Sequence, residues 1–388
     1  MTKLTGRDCA LVGTLFLLVF VMGVDSFVIA PLLVPIARSY QVTVGAATGG
    51  VTLYALCYAL GAPFFGPLGD KYAKRRLLLS GTVGFLVGNL ICALAPNLGW
   101  FDVARAVSGL SAALTLPNVW ATIGGHFRGR QLTIIMGVTM AALSLAIALG
   151  VPLGTAVAQV TSWHGIFWGA AGVTGGLLGL LSWVLPRVPG QARPLRYGAN
   201  FKRVLTAPHT VATLGVTLIW MLGFYGLYTF LGPTLMQHDH LTTAVTGLVF
   251  MVYGFSNFAA SFFSGYLTNR VGALHSVICA GLLSAGSVLG MVWLAPDGLS
   301  LVGWLSGLAV AQGWGVTALS AYLVRLVPQR STIMALNSAV LYLGLTLGSS
   351  LGGWLYQRWA LLGVGGLAIL AFSLASGLAA RLATQKGR

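Results

Sequence analysis

Two charged side chains, Asp25 and Arg105, sit inside otherwise apolar stretches of the chain. A charge at the centre of a bilayer costs about 2.5–3.5 kcal/mol even on insertion scales, so residues so placed pair with one another or handle protons and ions. Each lies about five residues in from the same end of its stretch, which at about 1.5 Å per residue sets the two at similar depth. The spacing predicts that they can pair. Two roles are open to Asp25. Burial disfavours the charged carboxylate and a nearby guanidinium favours it, so a proton and a substrate could compete there. Alternatively, Asp25 and Arg105 form a permanent ion pair, or Arg105 pairs with Asp102 one turn away. All six acids are aspartates, and the last two, Asp239 and Asp297, fall between apolar stretches, which leaves Asp25 as the one acid placed for proton exchange.

Other chemistries find no residues to carry them. His238, Asp239 and His240 lack a fourth ligand and a spaced partner pair for zinc, so no metal is expected. Cys9, Cys57, Cys92 and Cys279 show no paired spacing, which supports neither a disulfide framework nor a metal motif. The other histidines lie at the ends of stretches or between them, where no Ser-His-Asp arrangement forms. No glycine cluster has the strand-loop-helix context and the lysine that phosphate binding requires. The chain reads as neither an enzyme nor an ATP-driven pump, and no cofactor is implied.

The elements that hold these residues must be membrane helices. With 57% hydrophobic and 7% charged residues and a mean hydropathy of +0.87, the composition lies far from that of soluble domains, where about a quarter of residues are charged. A bilayer core needs about 20 apolar residues in a helix. Such windows recur at 10–32, 47–68, 76–95, 100–122, 133–157, 165–186, 209–233, 243–267, 273–294, 299–322, 332–355 and 360–381, which predicts twelve spans. The net charge of +16 comes from bases clustered between the windows, so it reads as topology and not as a nucleic-acid surface. With both termini cytoplasmic, all the bases except Arg38, Arg105 and Arg358 fall on the cytoplasmic side. The first stretch, which contains Asp25, reads as a retained span and not a signal peptide. The longest connection, 187–208, carries Pro189, Gly190 and Pro194 among five bases and reads as a linker. It divides the chain into an N-terminal bundle, 1–186, and a C-terminal bundle, 209–388.

An internal repeat supports that division. Gly66-Pro-Leu-Gly-Asp70-Lys71 follows the second window, and Gly265-Tyr-Leu-Thr-Asn269-Arg270 follows the eighth in the same register. Such duplications place a substrate site between the halves near the bilayer midplane. Candidate lining groups at that depth are Asn118 and Gln159 in the first half, and Tyr225, Tyr228, Asn257 and Asn337 in the second, because hydrocarbon offers intramembrane amides no partner. Trp220, Phe224, Gln312 and Trp314 lie at membrane depth in the same half. Ordinary packing competes with this reading for the aromatics. Pro152, with Gly150 and Gly154, predicts a bend and a close helix approach in the fifth span.

Gly66 to Arg76 also resembles the loop motif of the major facilitator superfamily. Asp25-Ser-Phe-Val-Ile-Ala-Pro-Leu-Leu-Val-Pro35 resembles the first-helix motif of its twelve-span drug:proton antiporter branch, and Arg105-Ala-Val-Ser-Gly109 the fourth-helix motif. Gly150-Val-Pro-Leu-Gly154 is similar to the proline-glycine antiporter motif, in the variant of multidrug and sugar-efflux-like members. Departures are Ser26, where many relatives carry a second acid, and Gly125-His-Phe-Arg-Gly-Arg130, which lacks the usual acid between spans 4 and 5.

The resemblance implies an all-α membrane protein with twelve transmembrane helices in two pseudo-symmetric six-helix bundles, the major facilitator fold. It implies proton-driven efflux of small hydrophobic compounds or drugs by alternating access. A sugar or metabolite exporter, or a proton-independent facilitator, is the alternative. Asp25 and Arg105 become the proton-coupling pair, Asp70 with Arg76 the gating loop, and Gly150, Pro152 and Gly154 the gating helix. Lys71, Lys74, Arg75 and Arg76 read mainly as topogenic charges. The expected partners are a small-molecule substrate, protons and the lipid bilayer, with the chain working as a monomer in the cell membrane.

Overall fold

A computed structural model describes residues 5–127, 129–185, 197–237, 241–294, 298–327 and 330–386. The regular secondary structure among them is helical. Hydrocarbon demands this of a chain without a closed barrel, because every backbone polar group must be satisfied internally.

The first rod is longer than the sequence window. Helix α1 (Gly6–Phe27) starts on a capping box in which Thr5 and Asp8 satisfy each other's backbone N–H groups. Val28 keeps helical dihedrals, so α2 (Ile29–Tyr40) continues the same direction until Gln41, at φ 54, ends it. Pro35 falls inside α2 without terminating it. After the short α3 (Val44–Ala47), α4 (Gly49–Lys71) and α5 (Lys74–Leu94) return across and back. Helix α6 (Leu98–His126) is capped by Asn97, whose Oδ1 accepts from the Trp100 N–H. Then α7 (Gly129–Leu145), a π-helical turn at Ala146–Gly150 and α8 (Val151–Val160) form one rod, and α9 (Trp163–Val184) follows it.

Beyond residue 196 the chain forms α10 (Tyr197–Thr206), α11 (Thr210–Gln237), α12 (Thr243–Val271), α13 (Ala273–Trp293), α14 (Gly298–Leu326) and α15 (Arg330–Lys386). Ala360, at φ 46 and ψ −133, breaks α15 into two rods. Among the described residues, ten stretches are apolar and long enough to span a bilayer. Dividing the last at Ala360 and adding the 29-residue α14, which carries Gln312 and two glycines in its middle, accounts for the twelve expected crossings. The expected linker 187–208 is helical over α10, because Val204 buries itself against Leu214, Leu323, Val327 and Ile333.

Two groups of helices result. Cores formed mainly by residues 11–185 tie α1, α2, α4, α5, α6 and α9 together. A core running largely from Val216 to Leu382 ties α11 to α15. The groups meet where α2 packs on α11, α4 on α15, and α8 with its π turn on α12.

The basic loops hold helix ends. Arg7 donates to the Trp183 carbonyl, and Arg75 to those of Ser182 and Leu185, closing the C-terminus of α9, where cations and donors are favoured. Lys74 Nζ donates to the Ala121 carbonyl at 2.7 Å. Lys74 and Arg75 are thus specific contacts as well as topogenic charges, a correction to the sequence reading. His126 Nε2 lies 2.8 Å from Asp8 Oδ1, tying the end of α6 to the start of α1. These contacts mark the basic end of the molecule; Tyr40, Trp163 and Trp359 lie at the opposite end.

Candidate functional site

Asp25 stands in the last turn of α1 and Arg105 in the second turn of α6, both almost wholly buried. The pair forms as the depth argument predicts, with Arg105 Nη1 2.7 Å from Asp25 Oδ2. Arg105 Nη2 also donates to the Asp25 carbonyl at 3.4 Å, so the guanidinium grips both side chain and backbone. Arg105 does not take Asp102 as its ion-pair partner.

Small residues bring a third helix against the pair. A side chain at Gly109 of α6 would strike the Tyr54 backbone, and one at Gly50 of α4 would press on Phe101 and Arg105. The close approach of α4 and α6 places the Tyr54 ring under the guanidinium, 4.5 Å from its centroid, an arrangement that favours the cation. Ser26, next to Asp25, donates to the Met22 carbonyl, and its Oγ lies 2.9 Å from Tyr54 Oη. From the other helix group, Tyr342 of α15 stacks on Tyr58 at 3.7 Å and lies 6.3 Å from Tyr54. Asp25 Oδ1 and Arg105 Nε have no hydrogen-bond partner among the described residues. The ion pair is therefore incomplete, with one free acceptor and one free donor held out of water, where unmade hydrogen bonds are costly.

The other candidates are dispersed. Gly150 closes the π turn and Pro152 is the second residue of α8. A side chain at Gly150 or Gly154 would meet Val24 or Val28 of the first rod. Gly247 of α12 packs on Pro152 and Thr155, and Gly254 on Ala148, so this segment is wedged between α1 and the second helix group. Asn118 is buried in α6 and donates to the Leu114 carbonyl, with its Oδ1 unpartnered among the described residues. Gln159 is exposed next to the last residue of α8 and is not brought to the ion pair. The side chain of Asp70 lies outside the described residues, as does the loop with His238, Asp239 and His240. Arg76 is exposed at the basic end.

In the second group, Tyr225 and Tyr228 join Phe224, Phe250 and Tyr253 in an aromatic cluster that Phe27 of α1 completes edge-on at 6.0 Å. The Tyr228 hydroxyl has no partner among the described residues. Asn257 Nδ2 donates to the Ala309 carbonyl at 3.2 Å, and Asn337 Oδ1 accepts from Thr217 at 3.0 Å, so both amides clamp neighbouring helices. Gln312 does the same, accepting from Trp220 Nε1 at 2.6 Å. Sequence reasoning missed Tyr54, Tyr58 and Tyr342. The available signal was the four-residue spacing of Tyr54 and Tyr58, which sets both on one face of α4.

A family model described as Major Facilitator Superfamily matches residues 15–305 and 213–388. "Uncharacterized MFS-type transporter YwfA" of Bacillus subtilis (strain 168) is 32% identical over 89% of this chain and 85% of its own length. A "Probable sugar efflux transporter" of Pasteurella multocida (strain Pm70) is 26% identical over 95% and 91%. Among solved structures, a bacterial homolog of the human lysosomal transporter Spinster, in an inward-facing and occupied conformation, aligns with a TM-score of 0.75 at 15% identity, covering 98% of this chain and 97% of that one. The human organic anion transporter MFSD10 aligns at 0.74 and 17% identity, over 97% and 100%. At those identities the structural likeness is one of fold.

Proposed function

From the premise that this chain belongs to the major facilitator superfamily and is a multi-pass membrane transporter of small molecules, we propose that it exports small hydrophobic compounds from the cytoplasm in exchange for protons. Asp25 is the coupling acid. The observation that carries the reading is the buried, incomplete Asp25–Arg105 pair, the only buried carboxylate–guanidinium pair among the described residues. With Asp25 protonated, the guanidinium keeps its cation contact with Tyr54 and its bond to the Asp25 carbonyl. When substrate occupies the neighbouring space, loss of the proton restores the ion pair. Protonation at this one carboxylate therefore changes what holds α1 to α6.

The same reading assigns 1–186 and 209–388 to the two moving bundles, joined through 187–208, with both termini cytoplasmic in the cell membrane and the monomer as the working unit. Asp70, at the end of α4, and Arg76, at the start of α5, are the proposed gating residues at the basic end. Gly150, Pro152 and Gly154 form the segment on which the bundles turn against each other. Tyr225, Tyr228, Asn118, Gln159, Asn257 and Asn337 are the proposed substrate-side residues, with Tyr228 first because of its unpartnered hydroxyl. Export of sugars is the second reading, favoured by the name of the Pasteurella relative.

The test is proton release from the purified protein on adding lipophilic cations, neutral antibiotics or sugars. Release with one class, abolished in Asp25→Asn, is the expected result and identifies that class. Uphill transport by Asp25→Asn at wild-type rate overturns the coupling role.

A further inference from the structure

Tyr342 belongs to the second helix group by its helix and to the first by its contacts. A side chain at Gly344 would strike Leu218 and Met221 of α11, and one at Gly348 the backbone at Leu222, so this stretch of α15 is fixed to α11. The Tyr342 ring nevertheless packs against both cores of the first group, stacked on Tyr58 with ring centroids 3.7 Å apart. Its hydroxyl hydrogen-bonds Ser26, the residue after Asp25. Ser26 Oγ also lies 2.9 Å from Tyr54 Oη and donates its own proton to the Met22 carbonyl. A serine hydroxyl has one donor and two acceptor lone pairs. With Tyr54 and Tyr342 both donating to it, Ser26 is used in full.

Three helices meet at this one oxygen. Ser26 rides on α1 beside Asp25. Tyr54 rides on α4, which Gly50 and Gly109 set against α6, and its ring lies under Arg105. Tyr342 rides with α11. In the coupling reading, a proton on Asp25 removes the Nη1 bond between α1 and α6. Ser26 can then shift against Tyr54, and an oxygen that accepts from two phenols loses the geometry for both, because hydrogen bonds weaken steeply with misalignment. We propose that Tyr342 is a positioning residue through which the second helix group reads the state of the ion pair, its hydroxyl latched on Ser26 while the pair is made and released when it breaks. The proposal rests on the coupling reading and deepens it, naming the side chain that carries a change at one carboxylate into the other half.

A substrate-free test follows the closed contact at the opposite end. Ala46 of α3 and Arg358 of α15 stand exposed on its two sides. Spin labels on Ala46→Cys and Arg358→Cys, with the native cysteines replaced, report the ratio of short to long distances for the full chain in lipid nanodiscs. Tyr342→Phe keeps the ring on Tyr58 and removes only the hydroxyl. It should lower the ratio by about five- to tenfold, the worth of one hydrogen bond. Asp25→Asn, which stands in for the protonated acid, should lower it as well. If the latch is the route between them, the double variant falls no further than the larger single effect. Ser26→Ala with Tyr342→Phe should be non-additive in the same way.

An unchanged ratio in Tyr342→Phe overturns the proposal. So do effects of Asp25→Asn and Tyr342→Phe that multiply, or a shift in Tyr342→Phe with none in Asp25→Asn, since Tyr342 is then a clamp that reads nothing. The coupling reading fails separately, through uphill transport by Asp25→Asn. The latch survives that result if the two substitutions still shift the distances non-additively.

Discussion

Arg105 holds Asp25 through two nitrogens while lying over Tyr54, and this fixes what substitutions there must do. Arg105→Ala strands a buried carboxylate, and breaking a buried pair costs about 3–5 kcal/mol. The variant should lose thermal stability in detergent, and adding Asp25→Asn should restore much of it, because the amide needs no counter-charge. Equal melting of the single and double variants would show that the pair carries no such energy. Arg105→Lys keeps the charge but not the planar fork, so it should retain folding and lose coupled transport. Depth counting along two apolar stretches was enough to anticipate this pair. Tyr54 and Tyr342 were not legible, because an aromatic in an apolar helix carries no mark of which neighbour it faces until glycines such as Gly50 and Gly109 set the helices together. Gln159 lies exposed beside the last residue of α8, where solvent can satisfy an amide, so its polarity alone does not mark it as part of the site.

At the scale of elements, the rod of α7, the π turn and α8 is the least regular of the crossings and lies between α1 and α12. A π turn offsets the hydrogen-bond register by one residue, and such turns often mark functional segments. The Pro and Gly positions revealed that this helix is special, whereas the register shift leaves no trace in the apolar pattern. Gly254→Leu would drive a side chain into the backbone at Ile147 and Ala148. It should separate α12 from the π turn and raise thiol reactivity at cysteines placed along that contact, with the fold retained. Unchanged reactivity would mean the contact is not what holds the two helices together. In the second group, Gln312→Leu removes the acceptor of the buried Trp220 indole. The variant should lose about 1–3 kcal/mol, visible as a lower melting temperature together with a change in Trp fluorescence. Helix α10 escaped the sequence reading because its ten residues, with Asn200, Lys202, Arg203 and Thr206 among them, form no apolar span; the buried Val204 anchors it.

Across the whole molecule, the contacts between the two helix groups run from the opposite end down to the level of Asp25. Gln357 donates to Thr43, Thr52 and Ser349 share a hydrogen bond of 2.8 Å, and Gly232 packs on Ala30 and Pro31. If transport requires these contacts to part, then Thr52→Cys with Ser349→Cys, in a background with the native cysteines replaced, should stop transport on oxidation. Reductant should restore it, and undiminished transport by the oxidised form would refute alternating access through that end. The positions of the spans were legible in hydropathy because crossing a bilayer imposes one rule on every helix. Which helices meet was not, since lipid-facing and partner-facing apolar residues look alike in sequence. One asymmetry in the composition reaches further. After Asp102 the chain holds only Asp239 and Asp297, both between apolar stretches, while Asp25 and Arg105 belong to the first helix group. On the proposed reading, energy input and much of the cargo surface reside in separate halves of one polypeptide. If the aromatic cluster around Tyr228 does meet the cargo, drift there would retune what is carried while the Asp25–Arg105 pair is inherited intact, a division of labour that leaves such a chain free to diversify.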